Sequence, residues 1–248
     1  MPTQAQIDSF ATAAATAYRA VYDTFERSAT DEGASASPVR NDCFIVNKPN
    51  KHTTVEVLGA LKIDRLPKSR RAPGKVAPAG DRIAVLMASK EIFGFDDTKP
   101  AAEASYLHEA FVNIGYYHVS TKGWRALLGL HYDYSARGAT QGHPLFHAQM
   151  HDGSASAGIA GLPVTPVIQP LPQSEVFGAV RLPTANMIGA SALLKLSADH
   201  LSHDSFTTVL SRLRAQAFFK NWRCKCDTLD DADSARGLLA AGWYGSKA

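Results

Sequence analysis

Between Leu127 and Asp152 the chain carries four of its nine histidines, His131, His143, His147 and His151, where an even spread would put about one. Asp133 and Gln149 stand among them. Neutral imidazoles beside a carboxylate are good ligands for a divalent zinc, manganese or iron ion, and the set that would serve is His131, Asp133, His147 and His151. The same residues can work without metal, because a histidine flanked by hydrogen-bonding groups acts as a nucleophile or general acid/base near neutral pH. On that reading His147 and His151 are the first catalytic choices, with His131 and Asp133 as orienting partners. Gln149 is then a polar contact, and Arg181, further along, clamps an anion. A third reading is purely structural, since histidine with tyrosine and glutamine on a strand also builds plain hydrogen-bond networks.

For these side chains to meet, two segments must be extended and paired. Leu128, Leu130, Tyr132 and Tyr134 alternate with Gly129, His131 and Asp133, the period of a half-buried strand. Beyond a glycine-rich loop the alternation resumes, with Phe146, Ala148 and Met150 against His147, Gln149 and His151. Two strands joined by a short connection pair antiparallel, which would put His131, Asp133, His147, Gln149 and His151 on one face. The alternative is a helix starting near Pro144, with His147 and His151 four residues apart. The cleaner alternation, and the brackets at Gly142 and Gly153, favour the strand.

Two family resemblances rest on these residues. His147-Ala-Gln149-Met-His151, after Gly138-Ala-Thr-Gln141, is similar over about fourteen residues to the histidine triad of nucleotide hydrolases and transferases. In that family alternating strand histidines attack a phosphate. This chain has Gln149 where a central histidine often sits, and a longer gap after Gln141. Tyr132-Asp133-Tyr134 followed by His143-Pro144 and His147 resembles, over about twenty residues, TumE-type toxins and related bacterial proteins. The chain is much longer than such toxins. That resemblance implies a toxin-antitoxin or antiviral-defence setting and leaves the chemistry open.

Composition limits the rest. With 248 residues, 45% apolar and 20% charged, the chain is long enough for one large domain, and one spanning 1–248 is expected. A net charge of +3 excludes a strongly basic nucleic-acid coat but allows a local basic patch. No apolar run approaches the roughly 18 residues of a membrane span, and the start lacks the order of a signal peptide, so no membrane contact and a cytoplasmic location are expected. Three cysteines, Cys43, Cys224 and Cys226, fit a reducing compartment, and the lone Cys224-Lys-Cys226 pair reads more simply as two thiols than as zinc ligands. There is no glycine-rich phosphate loop and no dinucleotide fingerprint, which weighs against an ATPase or redox enzyme.

In chain order, Thr3 and Gln6 form a capping box ahead of Ile7, Phe10, Ala14, Tyr18, Val21 and Phe25, which predicts a helix to about Ser28. Its apolar stripe suits docking on the core; its near-heptad spacing would also suit a protein partner or a homodimer. Strands are predicted over 43–47, 53–63 and 83–87. Between the last two lies a basic, proline-containing loop whose Lys68, Arg70, Arg71 and Lys75 could follow a nucleotide or nucleic-acid phosphate, or simply be solvated. A helix is predicted over 100–113, placing His108 near its apolar side, and strands over 115–120 and 124–134. Residues 152–175, dense in glycine, serine and proline, read as disorder or a lid, and 176–182 as a strand.

The C-terminal third, 183–248, reads as helical, with Ser202 capping one helix and another over 231–240. Between the first two helices, Asp199, His200, His203 and Asp204 have ligand-like spacing, though a capped junction explains the same residues. The fold expected is α+β, a mostly antiparallel sheet over 43–182 packed by terminal helices. The function expected is a histidine-dependent phosphodiester or nucleotidyl hydrolase or transferase, with or without metal assistance. The alternative is a non-catalytic module that binds RNA, DNA or protein within the same kind of defence assembly.

Overall fold

The computed structural model describes residues 2–49, 54–69, 82–96, 98–100, 104–121, 123–135, 146–151, 168–169, 181–183, 187–220 and 223–224. The fold is α+β: a mostly antiparallel sheet carries an N-terminal helix and two C-terminal helices. Helix α1 (Gln4–Asp31) starts at the predicted capping box, where Gln6 N–H donates to Thr3 Oγ1 at 3.2 Å and Thr3 N–H donates to Gln6 Oε1 at 2.7 Å. Its stripe, Ile7, Ala14, Tyr18, Val21 and Phe25, is buried against the sheet. Each large apolar side chain so buried contributes about 1.5–3 kcal/mol. The face that would have served a helix–helix dimer is therefore inside the protein.

The sheet then builds from β1 (Ser35–Pro38), β2 (Phe44–Asn47), β3 (Thr54–Pro67), β4 (Arg82–Phe95), β5 (Ser105–Ser120), β6 (Gly123–Ser135), β7 (Phe146–His151) and β9 (Arg181–Pro183). The strand order is β1-β3-β4-β5-β6-β7-β9, with β2 also on β3. Two short parallel pairings extend it, β8 (Ile168–Gln169) on β6 and β10 (Arg223–Cys224) on β5. Helices α2 (Gly189–His200) and α3 (His203–Ala215) follow, and α2 packs on α1, α3, β3 and β4. The covered face carries Val55, Val57, Leu61 and Ile63 of β3, Val85, Met87 and Phe93 of β4, and Val112 and Ile114 of β5, all fully buried.

Three predicted elements are corrected. The helix expected over 100–113 is the first half of β5. Phe93 pairs with Leu107 and Ile92 with Glu109, so His108 is the extra residue of a β-bulge. The bulge puts Leu107 and Ala110 three residues apart on the same buried face, and that spacing mimics a helix. The strand expected to stop at Met87 runs on to Phe95; the apolar pattern broke at Ser89 and Glu91, which take core-facing positions that alternation reserves for apolar residues. The loop expected over 28–42 contains the last turn of α1 and the strand β1.

The helix expected from Pro183 begins at Gly189, while Ser202 caps α3 as expected, accepting from Ser205 N–H at 3.3 Å. The helix predicted over 231–240, and all but two residues of the 152–175 segment, lie outside the described residues.

Candidate functional site

The hairpin strands β5 and β6 and the following β7 put the expected side chains on one face, the one turned away from the helices. In register, Asp133 lies opposite His147, His131 opposite Gln149, and Gly129 opposite His151. Directly opposed residues in an antiparallel pair project to the same side. On the next strand, Arg181 stands opposite Gln149, so this face reaches across β9 as well.

Within it, Asp133 joins two imidazoles. Its Oδ1 lies 2.9 Å from His147 Nδ1, in a geometry short of a linear hydrogen bond, and its Oδ2 lies 3.3 Å from His131 Nε2. The other nitrogen of His131, Nδ1, meets Asn113 Oδ1 at 2.6 Å. Both ring nitrogens of His131 therefore face oxygens of neighbouring side chains. The Phe111 ring stacks beside it, centroids 6.5 Å apart and planes inclined by 27°.

Exposure separates the roles. His147 is 1% exposed, whereas His131 and Asp133 keep 30% and 31% of their side chains accessible. His131 is thus the accessible imidazole of the pair, and His147, one of the two first sequence choices, is the buried one. His151 is half-buried, and its ring lies across Gly129, where any Cβ would collide with it. Glycine at that position is what lets the ring lie flat on β6.

As a metal centre the group is not preassembled. Among the described residues no three His, Cys, Asp or Glu side chains are gathered as ligands would be, and both Asp133 oxygens face imidazole nitrogens. The Asp199 to Asp204 spacing resolves as the capped junction: α2 ends at His200, α3 begins at His203, and Asp199 pairs with Lys195. Of the basic loop, Lys68 follows the end of β3, across β4 and β5 from the site. Arg70, Arg71, Lys75, His143 and Cys226 lie outside the described residues, as does the side chain of Arg181, which is placed by backbone register alone.

Comparison with protein-family models, curated proteins and solved structures finds no match. The reading therefore rests on geometry. Two members of the site, Asn113 and Phe111, were missed in the sequence because the helix expected over 100–113 removed them from the sheet. The alternation predicted for 115–120, carried back toward the N-terminus as far as Phe111, would have found both. Among the described residues no helix is long and apolar enough to cross a membrane.

Proposed function

We propose that this chain is a histidine-dependent phosphodiester or nucleotidyl hydrolase or transferase, with His131 as the group that exchanges a proton with the substrate. The observation that carries this reading is one carboxylate, Asp133, set between a buried and an accessible imidazole on the sheet face turned away from the helices. For that exchange the longer contact, 3.3 Å from Asp133 to Nε2, gives way so that Nε2 takes a proton from an attacking hydroxyl or water, while Asn113 holds Nδ1–H and the nearby carboxylate stabilises the charge the ring gains. The same proton, or one from His151, is then delivered to the oxygen that leaves phosphorus. Arg181, in register with Gln149, is the anion clamp for the phosphoryl oxygens. Metal assistance would require Asp133 to give up an imidazole contact. The toxin-antitoxin or defence setting follows from the resemblance around Tyr132-Asp133-Tyr134 alone.

The test is turnover on a panel of nucleotides, dinucleotides and single-stranded RNA, with and without divalent ions. Wild-type protein is expected to cleave at least one member, and His131→Ala to lose about a hundredfold or more. No turnover across the panel, or full activity in His131→Ala, overturns the reading.

A further inference from the structure

The helix α2 is held at its two ends by ionisable side chains, each buried, and neither is used by the site above. At the N-terminal end, Ile188 offers no side-chain cap, and Gly189 N–H instead donates to Glu91 Oε1 of β4 at 2.6 Å. Glu91 is 0% exposed. The hydroxyls of Tyr18 from α1 and Ser89 from β4 lie beside its carboxyl. Val57 of β3 and Ala110 of β5 flank it across the sheet, and among the described residues no cation pairs with the carboxyl. At the other end, His200 is 7% exposed, its ring lies tilted beside Tyr116 of β5 with centroids 5.6 Å apart, and its Nδ1 lies 2.8 Å from Pro67 O at the end of β3. In the neutral ring Nδ1–H donates to that carbonyl, and a second proton would have to sit on the buried Nε2.

We propose that α2 is a clamp closed by these two uncharged groups, and that ionising either one lifts the helix off the sheet while the strands stay paired. An anion at Glu91 or a second proton at His200 needs water, which reaches them when α2 moves. The directions follow from the surroundings. Burial pushes the Glu91 carboxyl up to about 8, against the opposing pull of the Gly189 amide and the Ser89 and Tyr18 hydroxyls. Burial likewise holds His200 below the usual histidine range, outweighing the Pro67 and Lys68 carbonyls and Asp199, with Lys195 pushing the same way as burial. Raising the pH therefore opens the Glu91 end, and lowering it opens the His200 end. By contrast α3 is fastened by groups nearer the surface: its own Ser202, and Glu32 of α1, which accepts from Ser202 N–H at 2.8 Å.

Hydrogen exchange read by mass spectrometry, corrected for intrinsic rates, tests this on the full chain at about pH 5, 6.5 and 9. Protection of the 189–200 peptide is expected to fall at least about tenfold at both extremes relative to β4 and β5. Glu91→Gln should abolish the alkaline loss alone, and His200→Asn the acid loss alone. Protection of α2 and the strands falling in step, or losses that persist in both variants, would overturn the clamp. Should His200→Asn fail to fold, the wild-type comparison decides the acid arm, since unchanged relative protection of α2 contradicts it.

Discussion

On the face of the sheet turned away from the helices, Asp133 stands between His131 and His147, and the group keeps partial access to solvent. On the covered face, two strands away, Glu91 is sealed in with amide and hydroxyl neighbours and, among the described residues, no opposite charge. Both carboxylates sit on long antiparallel strands at positions set by the same two-residue alternation. What differs is the company each keeps. A carboxylate with imidazoles at both oxygens has partners that carry positive charge when protonated, while burial in the core pushes a carboxyl toward its protonated form.

The contrast can be broken at several points. Replacing His131 with alanine should have the largest effect, lowering turnover about 10²–10⁴-fold while leaving the folded fraction unchanged by circular dichroism. Packing at the other end of the comparison is tight. A Cβ at Gly189 would come within 2.5 Å of Ser89 Oγ and 2.6 Å of the Phe44 ring, so Gly189→Ala should cost about 1–3 kcal/mol in denaturant unfolding. Asn113→Ala removes the hydrogen bond that orients His131, worth about 1 kcal/mol, and should slow turnover about fivefold with little change in stability.

Glu91→Gln gives the subtlest readout. The folded-state pKa is raised from 4.5 to about 8, so the wild type binds this proton more tightly when folded. Its contribution to stability is complete below 4.5 and is lost as pH rises to about 8. Melting temperature in the wild type should decline over that interval, and the glutamine variant should lack this part of the decline. Identical profiles would remove Glu91 as the source.

How much of this could be read beforehand depended on whether local pattern and tertiary demand agreed. The α1 stripe, the Thr3–Gln6 capping box, the Ser202 cap and the β6–β7 alternation each obey the period of their own element, and each is where expected. The failures have one form. At His108 a bulge shifts the period of β5, and at Glu91 a polar residue occupies a core position, so alternation was broken where the fold did something special. The site was legible as a cluster of residue types, but its hierarchy was not. The two-residue alternation puts both imidazoles on one face and does not say that His147 is buried and His131 accessible, and Asn113 joins the group across a strand pairing that spans 18 residues of sequence.

The coupling of His131 and His147 through Asp133 is the claim on which the rest stands, and nitrogen-15 NMR of the histidine rings in Asp133→Asn examines it without assuming a substrate. The resonances of His131 and His147 should move together while the outlying His118 and His203 stay in place. A change at only one of the two rings, or at neither, would show that Asp133 does not join them.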